Sequence, residues 1–104
     1  MPLPEKKSQI ISLADASKLT ANYRTSPTRG PITAGGFWNE TIQGIIAQPG
    51  CVAVRLYYAQ KNDGSPALVL CGVDASGNDL TAGVLGDDFF PCPPYCGAPN
   101  SLNS

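Results

Sequence analysis

Residues 51–73 admit few local folds other than a β-hairpin. From Cys51 to Gln60 the side chains alternate, with Val52, Val54, Leu56 and Tyr58 on one side and Ala53, Arg55 and Tyr57 on the other. A period of two is what a half-buried strand requires. Lys61-Asn62-Asp63-Gly64-Ser65 is turn chemistry, because Asp-Gly enters positive φ readily. Pro66 then opens a second run over 67–73 that is apolar throughout, as expected of a strand covered on both faces. A two-residue turn at Asn62-Asp63 pairs Lys61 with Gly64 and sets Cys71 opposite Val54, away from Cys51, so no Cys51–Cys71 bridge is expected. Residues 74–79 form a second turn, after which a third strand or extended run is expected over 80–90.

The segments before the hairpin read as helices. Residues 1–9 are a Pro-punctuated arm. Ser12 followed by Asp15 is a short capping box, and Leu13, Ala16, Leu19, Thr20 and Tyr23 recur at helical spacing, which predicts an amphipathic helix over 13–24. Ser26-Pro27 ends it, since proline disfavours helical geometry at the residue before it. Residues 25–36 are a Gly- and Pro-broken connector that can hold a short strand at 32–34. A second helix is expected over 37–48, with Trp38, Ile42, Ile45 and Ile46 on one face. Gly44 weakens it by about 1 kcal/mol, and Pro49-Gly50 stops it. From Pro91 the prolines exclude a helix, so 91–104 is expected to be an extended or turning tail. The fold class is α+β. It consists of two short N-terminal helices packed on an antiparallel hairpin or three-stranded meander, within a single domain spanning 1–104.

Composition narrows the function. Only 14% of the 104 residues are charged and the formal net charge is −1. The basic excess of a nucleic-acid binder or a polybasic membrane anchor is therefore missing, and nucleic acid is not an expected partner. No run approaches the ~18 apolar residues of a membrane span. The absence of histidine removes the commonest general base and metal ligand, and with them a Ser-His-Asp triad or Cys-His pair. Gly35-Gly36 lacks the spacing and the following lysine of a phosphate-binding loop. No cofactor is expected. The N-terminus lacks the apolar stretch of a secretory signal, which makes a cytoplasmic location the default expectation and an extracytoplasmic one the expectation if disulfides form.

The four cysteines include one close pair, Cys92-Pro93-Pro94-Tyr95-Cys96. A local disulfide requires Cα atoms within about 7 Å, hence a turn at Pro94-Tyr95 or a cis X-Pro bond. A zinc half-site at Cys92 and Cys96 has the wrong spacing and no second close pair. A thiol-redox site would lack both the Cys-x-x-Cys spacing and a helix N-terminus. A structural pair is favoured over these two. Asp74, Asn78 and Asp79 around Gly77 do not match the ligand spacing of a calcium loop and read as turn residues. An enzyme would have to rely on carboxylates such as Glu40 or Asp88, or on the Asp87-Asp88 pair beside Phe89-Phe90. Among the aromatic residues, Tyr57 and Tyr58 must point to opposite faces of a strand, which predicts that at least one is core. An outward Tyr57 beside Arg55 suits a protein–protein contact, for which Trp38 and Tyr95 are further candidates.

The segments Ile11-Ser12-Leu13-Ala14, Tyr23-Arg24, Gln48-Pro49-Gly50-Cys51-Val52, Gly72-Val73-Asp74 with Gly77-Asn78-Asp79, and Phe90-Pro91-Cys92-Pro93-Pro94-Tyr95-Cys96 carry a likeness. In them the chain resembles a set of small uncharacterised bacterial proteins of about this size. The resemblance implies a bacterial, free-standing domain and transfers no activity or site residue. The expected function is that of a non-enzymatic structural or protein–protein interaction module that self-associates, its main partner being a second copy of itself. The alternatives are a zinc or thiol-redox module at Cys92 and Cys96 and a small-ligand enzyme using carboxylates.

Overall fold

The computed structural model describes residues 2–103. The fold is α+β, with helices α1 (Leu13–Arg24) and α2 (Asn39–Ile46) and strands β1 (Ala34–Gly36), β2 (Ala53–Gln60), β3 (Pro66–Val73), β4 (Leu85–Gly86) and β5 (Phe90–Cys92). The strands form a three-stranded antiparallel sheet in the order β2-β3-β4 and a two-stranded sheet of β1 and β5. Two compact units result, one from residues 2–5 and Gly36–Phe89, the other from Lys6–Gly35 and residues 90–103.

The first unit is built on the hairpin. Its turn is one residue longer than the sequence predicts. Lys61 N donates to the Ser65 carbonyl at 2.8 Å and Gly64 N to the Lys61 carbonyl at 2.9 Å, so the loop is Asn62-Asp63-Gly64, with Gly64 at φ 89°. This is the three-residue loop in which a tight turn is followed by a left-handed glycine. Asp63 Oδ1 reinforces it by accepting from Ser65 N at 2.9 Å and Ser65 Oγ at 2.6 Å. The extra residue shifts the register by one: Cys71 lies opposite Arg55, not Val54, and Leu56 opposite Leu70. Such a slip decides which cross-strand neighbours share a face.

The 74–79 turn repeats the pattern. Asp74 N donates to Asn78 O and Gly77 N to Asp74 O, while Asp74 Oδ1 accepts from Ser76 N and Asn78 N. The chain is thereby returned so that Asp79 bridges Val73. The expected third strand over 80–90 is not continuous. After the Asp79 bridge it contributes the two-residue β4, which pairs with Leu70 and Cys71. Phe90 then begins β5, in the other sheet.

Helix α2 packs against β2, β3 and β4. It is shorter than expected and orients differently. Ile45 is fully buried, but Ile46 is 53% exposed and Trp38, which precedes the helix, is 71% exposed. Ile45 and Thr41 lie directly over Gly86. The core of this unit is Ile45, Leu70, Cys71, Val73 and Phe89.

A tight approach beside α2 gives a first prediction. A Cβ on Gly72 would stand 2.9 Å from Cys51 Sγ, 3.0 Å from Gln48 Nε2 and 3.1 Å from Leu80 Cδ1. The Gln48 amide is held in place, donating to the Ile45 carbonyl and accepting from Val84 N, each at 2.8 Å, so Gly72→Ala is expected to destabilise the protein by about 1–3 kcal/mol, measurable by urea unfolding.

The second unit holds α1, the β1–β5 pair and the tail. Helix α1 starts and stops where the sequence predicts: Ser12 Oγ accepts from Asp15 N at 3.1 Å, and the last turn closes on Thr25. Its inner face keeps only Ala16 and Thr20 of the predicted positions. Leu13, Leu19 and Tyr23 are exposed, and the half-buried positions are Ala16, Ser17, Thr20, Ala21 and Arg24. Small side chains let the helix approach its surroundings closely, and the larger apolar ones point outward. Arg24 anchors the tail by donating from Nη1 to the Leu102 carbonyl at 2.5 Å.

Candidate functional site

In the order β2-β3-β4, β2 is an edge strand. Alternate residues of an antiparallel strand turn their backbone groups toward the partner, and the others turn them away. The Lys61–Ser65 bond fixes the odd-numbered residues of β2 as those facing β3. On β3, Gly72 and Asp74 bond to the 78–80 segment while Val73 O accepts from Val52 N, which is consistent with that phase. The N–H and C=O groups of Val54, Leu56 and Tyr58 therefore point away from β3, and among the described residues they have no strand partner. Their side chains stand on the face that α2 covers only in part. Leu56 is 53% and Tyr58 93% exposed.

Natural sheet edges are commonly guarded by lysine, proline, a bulge or an inward-pointing charge. Between Ala53 and Gln60 there is no proline and no lysine, and the single charge is Arg55. That charge is already paired with Asp79. The edge is thus open, apolar and electrically quiet.

The opposite face carries a polar cluster. Arg55 Nη1 donates to Asp79 Oδ1 at 2.5 Å and to the Gly77 carbonyl at 3.3 Å. Tyr57 Oη donates to Asp79 Oδ2. Cys71 lies opposite Arg55 on the neighbouring strand. Donation from Tyr57, then from Arg55, holds the Asp79 carboxyl below its ordinary range against the opposing effect of desolvation. The bond to Asp79 raises the Tyr57 phenol above its usual value, and Asp79 likewise raises Arg55. Desolvation, followed by Asp79, pushes the Cys71 thiol up. A carboxylate supplied with this many donors and held ionised is a strut, since a general base must be free to take a proton. A thiol kept protonated is correspondingly a poor nucleophile.

The signs can be tested. Tyr57's raised pKa means that its contribution to stability is complete below the ordinary tyrosine value near 10 and is lost as pH rises through the higher folded value. Asp79's lowered pKa means that its contribution is complete above the ordinary carboxyl value and is lost as pH falls through the lower folded one. A spectrophotometric titration is expected to show Tyr57 ionising at higher pH than it does in Asp79→Asn; identical curves would contradict the arrangement.

Other predicted residues are dispersed. Arg55 and Tyr57 are brought together, through Asp79. Both tyrosines of the strand pair are exposed, Tyr57 at 45%, so neither is core, because the face outside α2's footprint has little cover. Tyr95 belongs to the other unit, with its ring edge-on to Phe90 at 6.5 Å. Cys92 and Cys96 are joined by a disulfide with Cα atoms 4.8 Å apart, and the Cys92-Pro93 and Pro93-Pro94 bonds are cis. Bridged sulfurs cannot serve as thiolate ligands. Cys51 and Cys71 are free thiols. Among the described residues, no three Cys, Asp or Glu side chains are grouped to hold a metal ion, and no helix is long and apolar enough to cross a membrane. The Asp88 side chain is 85% exposed, 3.9 Å from Lys61 Nζ, and Glu40 lies exposed in the first turn of α2. Sequence reasoning missed Asp79, Leu56 and Tyr58. The alternation of β2 already contained a signal for the last two, since one side of the strand is wholly apolar. Asp79 gave none, because its partners depend on the lengths of two turns.

No family model, no curated protein and no solved structure matches this chain.

Proposed function

We propose that this protein is a non-enzymatic interaction module that assembles with copies of itself through the free edge of β2. The observation that carries this reading is the outward backbone of Val54, Leu56 and Tyr58, joined to the exposed side chains of Leu56 and Tyr58 without a guarding charge or proline. The composition supports it: a net charge of −1 leaves little long-range repulsion between copies. The polar cluster supports it as well, because Asp79 neutralises the one charge on the strand and braces it from the opposite face.

Arg55 and Tyr57 flank the contact in this reading, and Leu56 and Tyr58 form its centre. Trp38 and Ile46, exposed in the same unit, supply further apolar surface. Light scattering across a range of concentrations tests the proposal. A mass that rises with concentration toward a multiple of the chain mass is expected; a constant monomer mass into the high micromolar range would overturn it.

A further inference from the structure

We infer that the occupant of the β2 edge is a second copy's β2, running antiparallel across a two-fold axis at Leu56. This rests on the self-association reading and adds its geometry. Closed two-fold dimers are the commonest homo-oligomers, and their contact must be self-complementary. On an antiparallel edge that condition reduces to a choice of register, which the residues of β2 decide.

With the axis at Leu56, the outward-facing residues pair as Leu56 with Leu56 of the second copy and Val54 with Tyr58. Each pair exchanges two N–H···O bonds and matches apolar with apolar, the second as a β-branched residue beside an aromatic one. On the other face Arg55 falls opposite Tyr57, in the non-hydrogen-bonded position where side chains approach most closely, so a guanidinium meets an aromatic face. Ala53 falls opposite Ala59. No like charges meet.

The neighbouring registers are worse. Moving the axis to Arg55 sets the two copies' Arg55 side chains directly opposite each other, which is destabilising. Moving it to Tyr57 sets Val54 against Gln60 and Arg55 against Ala59, losing an apolar pair and the aromatic partner of the cation. Only the Leu56 axis pairs the outward side chains of 54–58 among themselves and sets no like charges opposite each other. It also leaves both copies of α2 on the same side of a continuous sheet, since residues of like parity share a face, and the two apolar rows become one.

Site-specific cross-linking tests the register. In a Cys51→Ala background, Val54→Cys, Leu56→Cys and Tyr58→Cys chains are prepared separately, then combined and treated with a short bis-maleimide. Light scattering is run on the same samples, and circular dichroism confirms that each variant is folded. The expected pattern is a strong cross-link in Leu56→Cys alone, a strong one when Val54→Cys is mixed with Tyr58→Cys, and its loss when either of these is treated alone. A cross-link that instead prefers Leu56→Cys mixed with Tyr58→Cys would place the axis at Tyr57 and overturn the register while leaving self-association standing. A dimer by light scattering with no cross-link at any of these positions would remove β2 from the contact. A folded monomer would overturn both readings.

Discussion

Ile45→Ala is expected to lower the stability of the protein by about 2–5 kcal/mol, whereas Ile46→Ala, one residue later and chemically the same change, is expected to move it by no more than about 0.5 kcal/mol. Ile45 is fully buried between α2 and the sheet, with its Cδ1 over Gly86. Gly86 has no side chain with which to fill a void, and the backbone pairing of β4 with β3 keeps the strand from moving inward. The cavity left by the truncation therefore persists, and cavity cost adds to the lost burial. Ile46 is 53% exposed and loses little on truncation. For a domain of this size the first change corresponds to a fall in Tm of about 4–8 °C per kcal/mol. Paired thermal and urea melts check the contrast. Equal effects at the two positions would mean that α2 is rotated relative to the sheet.

Leu56→Lys is expected to abolish self-association without measurable loss of stability. The residue is 53% exposed, and a substitution at such a position is expected to change stability by no more than about 0.5 kcal/mol. A lysine on an edge strand is a device by which natural sheets stay monomeric, and at a two-fold axis it would face its own copy. Like charges juxtaposed in a contact cost several kcal/mol, so association should weaken by about a hundredfold or more. Unchanged light scattering, with the variant folded, would show that assembly uses another surface. Leu56→Ala should have the same sign and a smaller effect, because it removes apolar area but adds no repulsion.

Much of the fold is legible in the sequence where local chemistry acts alone. Ser12 and Ser26-Pro27 bound α1, and the alternation over 51–60 gives β2. The misreadings have physical sources. Asp63-Gly64 is a turn signal in either a two-residue or a three-residue loop, and the choice depends on where the left-handed glycine sits relative to the closing pair. One residue of difference moved Cys71 from opposite Val54 to opposite Arg55. The Arg55–Asp79–Tyr57 cluster could not be foreseen, because it needs the register of both the hairpin and the 74–79 turn. Of the positions at helical spacing in α1, Ala16 and Thr20 do turn inward, whereas Leu13, Leu19 and Tyr23 are exposed. Periodicity specifies that a helix has faces, and packing decides which face is used. The exposed half of β2 was readable as apolar, but its edge position was not, since strand order is a property of the whole sheet.

In the proposed assembly, copies meet through the outward backbone of β2. Amide hydrogen exchange, followed residue by residue at low and high protein concentration, addresses those groups themselves. The expected result is that the amides of Val54, Leu56 and Tyr58 exchange rapidly in dilute solution and become protected as concentration rises, with those of Arg55 and Tyr57, already bonded to β3, unchanged. Exchange at Val54, Leu56 and Tyr58 that stays rapid at every concentration, in a sample shown to be folded, would contradict it.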